Sequence, residues 1–173
     1  MPFLAWRRIL AFNVDYVVIA IYAAILTVVS LGLGVSGEPP LAFGDKLAGH
    51  VRSALVLTVP VMLYFALGES TGGTVGKRML RLSVVSMDGG KAGLKACLGR
   101  SLVKFAPWEL AHAGVWYVPG RPFIDPPATA NILVWFLALG LTALLVGGMF
   151  VASGRTLADR FAHTRVIQRH QPR

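Results

Sequence analysis

The chain has 173 residues, of which 55% are hydrophobic and only 14% charged, with a mean hydropathy of +0.63 and a formal net charge of +9. These proportions exclude an ordinary soluble domain and point to a single membrane domain, residues 1–173, made of several apolar spans. The 17 basic residues flank the apolar segments and form no dense patch, so anionic lipid headgroups, not nucleic acid, are the expected partner. Cys97 is the only cysteine, which removes any intramolecular disulfide or cysteine-based metal site.

In chain order, the first apolar segment runs over about 9–35. From Tyr16 to Val35 no residue is charged, and at 1.5 Å per residue this stretch reaches about 30 Å, enough to cross a bilayer. The segment contains Asp15 and has no small-residue cleavage site, so it is expected to stay in the mature protein. Ser36 to His50 is rich in Gly and Pro and reads as a loop. A second, shorter span at about 50–68 carries Pro60, which is expected to kink it.

Residues 69–97 are polar and basic. Leu80, Leu82, Val84 and Met87 alternate with polar residues ahead of Asp88-Gly89-Gly90, the pattern of a strand entering a hairpin turn. Thr164 to Gln168 alternates likewise, and the two runs could pair as a small sheet beneath the membrane. The segment 98–118 is ambiguous by hydropathy, because Lys104, Glu109 and His112 interrupt it. Charge distribution favours its crossing. With four spans, Lys46, Arg52 and Arg121 lie on one side and the other fourteen Lys and Arg on the other, as the positive-inside rule requires. The last span covers 128–153 without a charge, and a basic tail follows at 154–173.

Three separated stretches carry a resemblance. The opening RRILAFNVDYVV, the loop TVGKRMLRLSVV with its DGGK turn, and the tail GRTLADRFAHTRVI closely resemble the RDD family of small prokaryotic membrane proteins, named for one arginine and two aspartates. The resemblance covers most of the chain and assigns those positions to Arg8, Asp15 and Asp159. It implies a small helical membrane domain in the prokaryotic inner membrane, a role in which transport, including cation/proton antiport, has been proposed, and no enzyme activity.

A charge at membrane depth costs at least about 2.5 kcal/mol, so Asp15 needs a partner, a watery pocket or a proton. Arg8 is seven residues away on the same helix face but about 10 Å along the axis, so Asp15 is expected to look to another helix. Two readings stand side by side: a structural bond that sets helix register, or a site exchanging a proton for a cation. Glu109 and His112 are three apart and face one way. A polar pair inside the bundle is the plain reading and a proton relay with Asp15 the sharper one. A single Glu-x-x-His copy does not make a carboxylate-bridged metal site, and His50, His163 and His170 fall in apparent loops or the tail, without ligand spacing.

The run from Gly72 to Arg78 is not a Walker A: the first glycine is one residue short of the required spacing, and Arg78 follows the lysine. A tight turn built on Gly76, with Lys77 and Arg78 towards lipid phosphates, is expected. Thr156 to Asp159 has the form of a capping box, making Asp159 a helix cap or a partner for Lys77, Arg78 or Arg81. No nucleophile-elbow motif appears.

The expected fold is therefore an all-α integral membrane protein, a bundle of four transmembrane helices with a small cytoplasmic β-hairpin and loop layer and both termini cytoplasmic. The expected function is ion or small-solute transport without a cofactor, with Asp15, Arg8, Glu109 and His112 as the candidate pathway residues. Four short spans make a thin wall, so a homo-oligomer is expected. The alternative is a membrane adaptor that binds lipid or a partner protein through its basic cytoplasmic face.

Overall fold

A computed structural model describes residues 2–34, 41–151 and 153–169. The chain opens with α1 (Pro2–Gly32), a helix of 31 residues. After it come α2 (Phe43–Ser53), a single π-helical turn (Ala54–Thr58) and α3 (Val59–Ser70), which form one continuous rod. The one-turn helix α4 (Val75–Met79) leads into β1 (Leu82–Ser86). Then come α5 (Leu94–Trp116), α6 (Thr129–Gly147), the one-turn α7 (Leu157–Phe161) and β2 (Thr164–Gln168).

Among the described residues, three segments are long and apolar enough to cross a membrane: Phe3–Gly32, Phe43–Met79 and Thr129–Gly147. Their outward surfaces are greasy. Val17, Ile21, Ile25 and Val28 on α1, and Leu133, Phe136, Leu137 and Leu144 on α6, are all more than half exposed. Such stripes are stable only where hydrocarbon replaces water. The fourth helix, α5, has the length but not the apolarity, since Lys95, Arg100, Lys104 and Glu109 lie on it.

The second span begins earlier than expected, because 43–50 is helical where the sequence suggested loop. Two buried contacts hold it there. Lys46 extends its ammonium to the carbonyls of Val118 (2.7 Å) and Gly120 (2.6 Å), just past the C-terminal end of α5, where the helix dipole favours a cation. At Gly49 a Cβ would stand 2.5 Å from the Trp116 ring, so only glycine admits that close approach. Pro60 removes a backbone donor one helical turn after Val56. The π turn absorbs the defect, and the Tyr22 hydroxyl of α1 donates to the Val56 carbonyl at 2.6 Å.

The two strands pair antiparallel, Leu82 opposite Gln168 and Ser86 opposite Thr164. The sheet is thus non-local: the expected hairpin at Asp88-Gly89-Gly90 survives only as a single bridge between Val85 and Lys91. Against this sheet packs the main apolar core, in which Ala11, Ala66, Leu82, Val84, Cys97 and Val166 meet. The core lies at one end of the bundle, here termed the sheet end, where α1, α3 and α5 converge.

Candidate functional site

The sheet end encloses a connected set of buried charges. Asp159 has no exposed surface; one oxygen accepts a hydrogen bond from Arg8 Nη2 at 2.7 Å, and the other forms an ion pair with Arg100 Nη1 at 2.5 Å, off the hydrogen-bond axis. Thr156 completes the cap: its backbone N–H donates to Asp159 at 2.8 Å, and its hydroxyl accepts from the Asp159 N–H at 3.1 Å. Arg100 continues to Glu69, with Nε 3.1 Å from Oε2 though off the hydrogen-bond axis. Glu69, itself fully buried, also meets Lys77 at 3.0 Å and Lys104. The Lys77 and Lys104 ammonium groups both stand over the Phe65 ring, 5.5 and 4.7 Å from its centre.

Charges run alternately along this chain: Lys77, Glu69, Arg100, Asp159, Arg8. Burial by itself pushes the Asp159 carboxyl up, but Arg100, Arg8 and the Thr156 N–H outweigh it and hold it below the usual carboxylate range. The partners are not the expected ones. Arg8 and Arg100, not Lys77 or Arg78, hold Asp159, and the sequence assigned Arg100 no role. Lys77 points inward to Glu69 and is buried, so it does not reach towards lipid phosphates. Arg78 is exposed but folds back on its own loop, donating to the Gly73 carbonyl at 2.7 Å.

Asp15 occupies a separate cradle. Its side chain is completely buried and accepts from Tyr64 Oη (2.7 Å), Thr74 Oγ1 (2.6 Å) and the Gly76 N–H (2.8 Å). The two hydroxyls have their protons directed at it, because Tyr64 Oη accepts from the Val75 N–H and Thr74 Oγ1 from the Lys77 N–H. Asp15 therefore caps α4 from another helix, satisfying donors that a helix start leaves orphaned. Gly76 is required for this approach, as a Cβ there would lie 1.9 Å from the Ala11 carbonyl oxygen.

Glu109 forms a third group, where α5 faces α2 and the π turn. Thr58 donates to its Oε1, His50 Nε2 lies 3.3 Å from Oε2, and His112 Nδ1 lies 3.5 Å from Oε1. His50 belongs to α2 rather than to a loop, and its Nδ1 is hydrogen-bonded to the Tyr117 hydroxyl at 3.1 Å. Among the described residues no hydrogen bond or ion pair joins Glu109 or His112 to Asp15. His163 follows α7 in a left-handed conformation, and His170 lies outside the described residues. Among the described residues no group of three or more His, Cys, Asp or Glu is arranged to hold a metal ion.

Apolar helices with lipid-compatible surfaces, closed at one end by a buried ionic girdle and a two-stranded sheet, define an α-helical membrane protein. The RDD family model matches residues 3–163, covering the first two of the stretches that suggested it and the third as far as His163, and the chain belongs to the RDD family. No curated protein and no solved structure matches it.

Proposed function

We propose that the protein crosses the prokaryotic inner membrane four times, with the sheet end and both termini in the cytoplasm, and passes an ion or small solute along the seam between α3 and α5. Strand pairing supports the fourth crossing. β1 and β2 are hydrogen-bonded partners and so share one side of the bilayer; if α6 crosses between them, α5 must cross too. The polar residues of α5 then face the bundle instead of lipid, as expected for ionisable groups at membrane depth.

The observation that carries the transport reading is the polar lining of this seam at both ends. Glu109, with Thr58 and His50, lies at the end away from the sheet, and Glu69, with Lys104 and Arg100, lies at the sheet end. Between them the fully buried Phe65 packs on Phe105, ring centres 5.6 Å apart, as an apolar barrier. Among the acids, Glu109 is the one suited to exchange: its side chain keeps 32% of its exposure and two histidines stand beside it. Asp15, surrounded by committed donors, is suited to holding α4 in place.

The test is ion-driven proton movement in proteoliposomes holding wild type, Glu109→Gln or Asp15→Asn at equal incorporation. A cation-dependent proton signal in wild type that Glu109→Gln abolishes without loss of fold is expected. Silence from folded wild type over several cations and pH values would overturn transport. It would favour an adaptor, for which exposed Arg78, Lys91, Lys95, Arg160, Arg165 and Arg169 supply a basic cytoplasmic face.

A further inference from the structure

Two stretches of the chain repeat one another in backbone detail. In the first, a positive-φ glycine (Gly72, +114°) precedes Thr74, which caps α4 with its side chain; in the second, Gly154 (+60°) precedes Thr156, which caps α7 in the same way. Each helix has five residues, with arginine fourth (Arg78, Arg160) and a large exposed apolar residue fifth (Met79, Phe161). Each then passes through a left-handed non-glycine residue, Arg81 at +54° and His163 at +49°, into a five-residue strand. Every element of the second unit lies 82 residues beyond its counterpart, from Thr74 and Thr156 to Ser86 and Gln168.

The pairing between the units obeys the same offset. Val84 lies opposite Val166, its own counterpart, and the flanking pairs Ser83–Ile167 and Val85–Arg165 exchange under that offset. Beyond the strands, the Met87 N–H donates to the His163 carbonyl (3.2 Å), and its equivalent, the Arg169 N–H, donates to the Arg81 carbonyl (2.8 Å). That is a two-fold axis through Val84 and Val166. The contact of α1 with α4 has a counterpart in that of α5 with α7, but the long helices do not follow the axis: among the described residues α5 packs extensively on α3 and α6, and α1 makes no comparable contact with either.

One equivalent position breaks the symmetry. The third residue of the one-turn helix is Lys77 in the first unit and Asp159 in the second, both buried, and the alternating charges Lys77–Glu69–Arg100–Asp159 run between them. Pairing of like units would set lysine with lysine, or aspartate with aspartate, at the two ends of that chain. Unlike pairing completes it.

We propose that the chain carries a pair of repeated units, each a cap, a one-turn helix and a strand, offset by 82 residues, in which the partner surface of each unit fits the other unit of the same chain through strand pairing and the buried charge chain. The cap, turn and strand units stand whether the chain crosses the membrane three times or four.

Spin-label distances in the full-length protein, in a Cys97→Ser background, test this. The pairs Val75→Cys with Phe161→Cys and Met79→Cys with Leu157→Cys exchange under the axis, and all four side chains are exposed. Superimposable distance distributions are expected, and two different distances would overturn the repeat whatever the membrane topology. A short distance from Val75→Cys alone would place the partner surface on a second copy and overturn the pairing within one chain. Equal distances, together with labelling of Ile124→Cys from the sheet side, would sink the four-span reading while upholding the paired units.

Discussion

Asp15 and Asp159 are both fully buried, yet their surroundings differ. Asp159 is held by two guanidinium groups, and removing one partner of such a pair leaves an uncompensated buried charge. Arg8→Met is therefore expected to destabilise the fold by about 3–5 kcal/mol, read as a lower melting temperature in detergent. Because the folded-state carboxyl of Asp159 is held below its unfolded value, its contribution is present above the usual carboxylate range and lost as pH falls through the depressed value. Thermal scans from neutral to acid pH should show the loss, and Asp159→Asn should flatten that part of the profile. Among the described residues, the hydrogen-bond donors that meet Asp15 are all neutral. Asp15→Asn would turn an N–H₂ towards at least one of them, and a drop in folded protein is expected, not a folded but inactive transporter.

The one-turn helix α4 matters more than its length suggests, because it joins α1 to the sheet. Gly76→Ala would push a methyl group into the Ala11 carbonyl and lengthen the bond to Asp15. A loss of roughly 1–3 kcal/mol is expected, again measured by thermal unfolding, with a control substitution at the exposed Met79 near neutral. The rod formed by α2 and α3 shows the converse, a breaker accommodated: the π turn and the Tyr22 hydroxyl take up what Pro60 withholds. Tyr22→Phe should cost about 0.5–1.5 kcal/mol, since the Val56 carbonyl would lose its donor in an apolar setting.

Over the molecule as a whole, the well-packed core is confined to the sheet end, while α1 and α6 carry broad apolar surfaces outward. Stability in detergent is thus expected to depend on the girdle and sheet, and topology on the helices. Single cysteines at Ile124 and Met87 should label from opposite sides of sealed vesicles, as the four-span arrangement requires. Labelling of both from one side would leave α5 on the membrane surface.

Much of this was legible from residue order. Uninterrupted apolar runs longer than a bilayer core identified α1 and α6, and period-two alternation located both strands, because hydropathy and alternation are local properties; alternation did not choose between pairing them and a hairpin at Asp88-Gly89-Gly90. The three family stretches were legible for the same reason and gather at one end of the folded chain. Three-dimensional packing decided the rest. It turned Lys77 inward to Glu69, chose Arg100 for Asp159, drew His50 to Glu109, and surrounded Asp15 with donors from α3 and α4. Apart from Lys77 and Glu69, these partners lie tens of residues apart, and one-dimensional spacing carries no information on which buried charge meets which. That selection follows from desolvation: once apolar burial brings the helices together, each charge left in the interior must find its opposite or a hydrogen-bond donor, and only the assembled fold offers the choice.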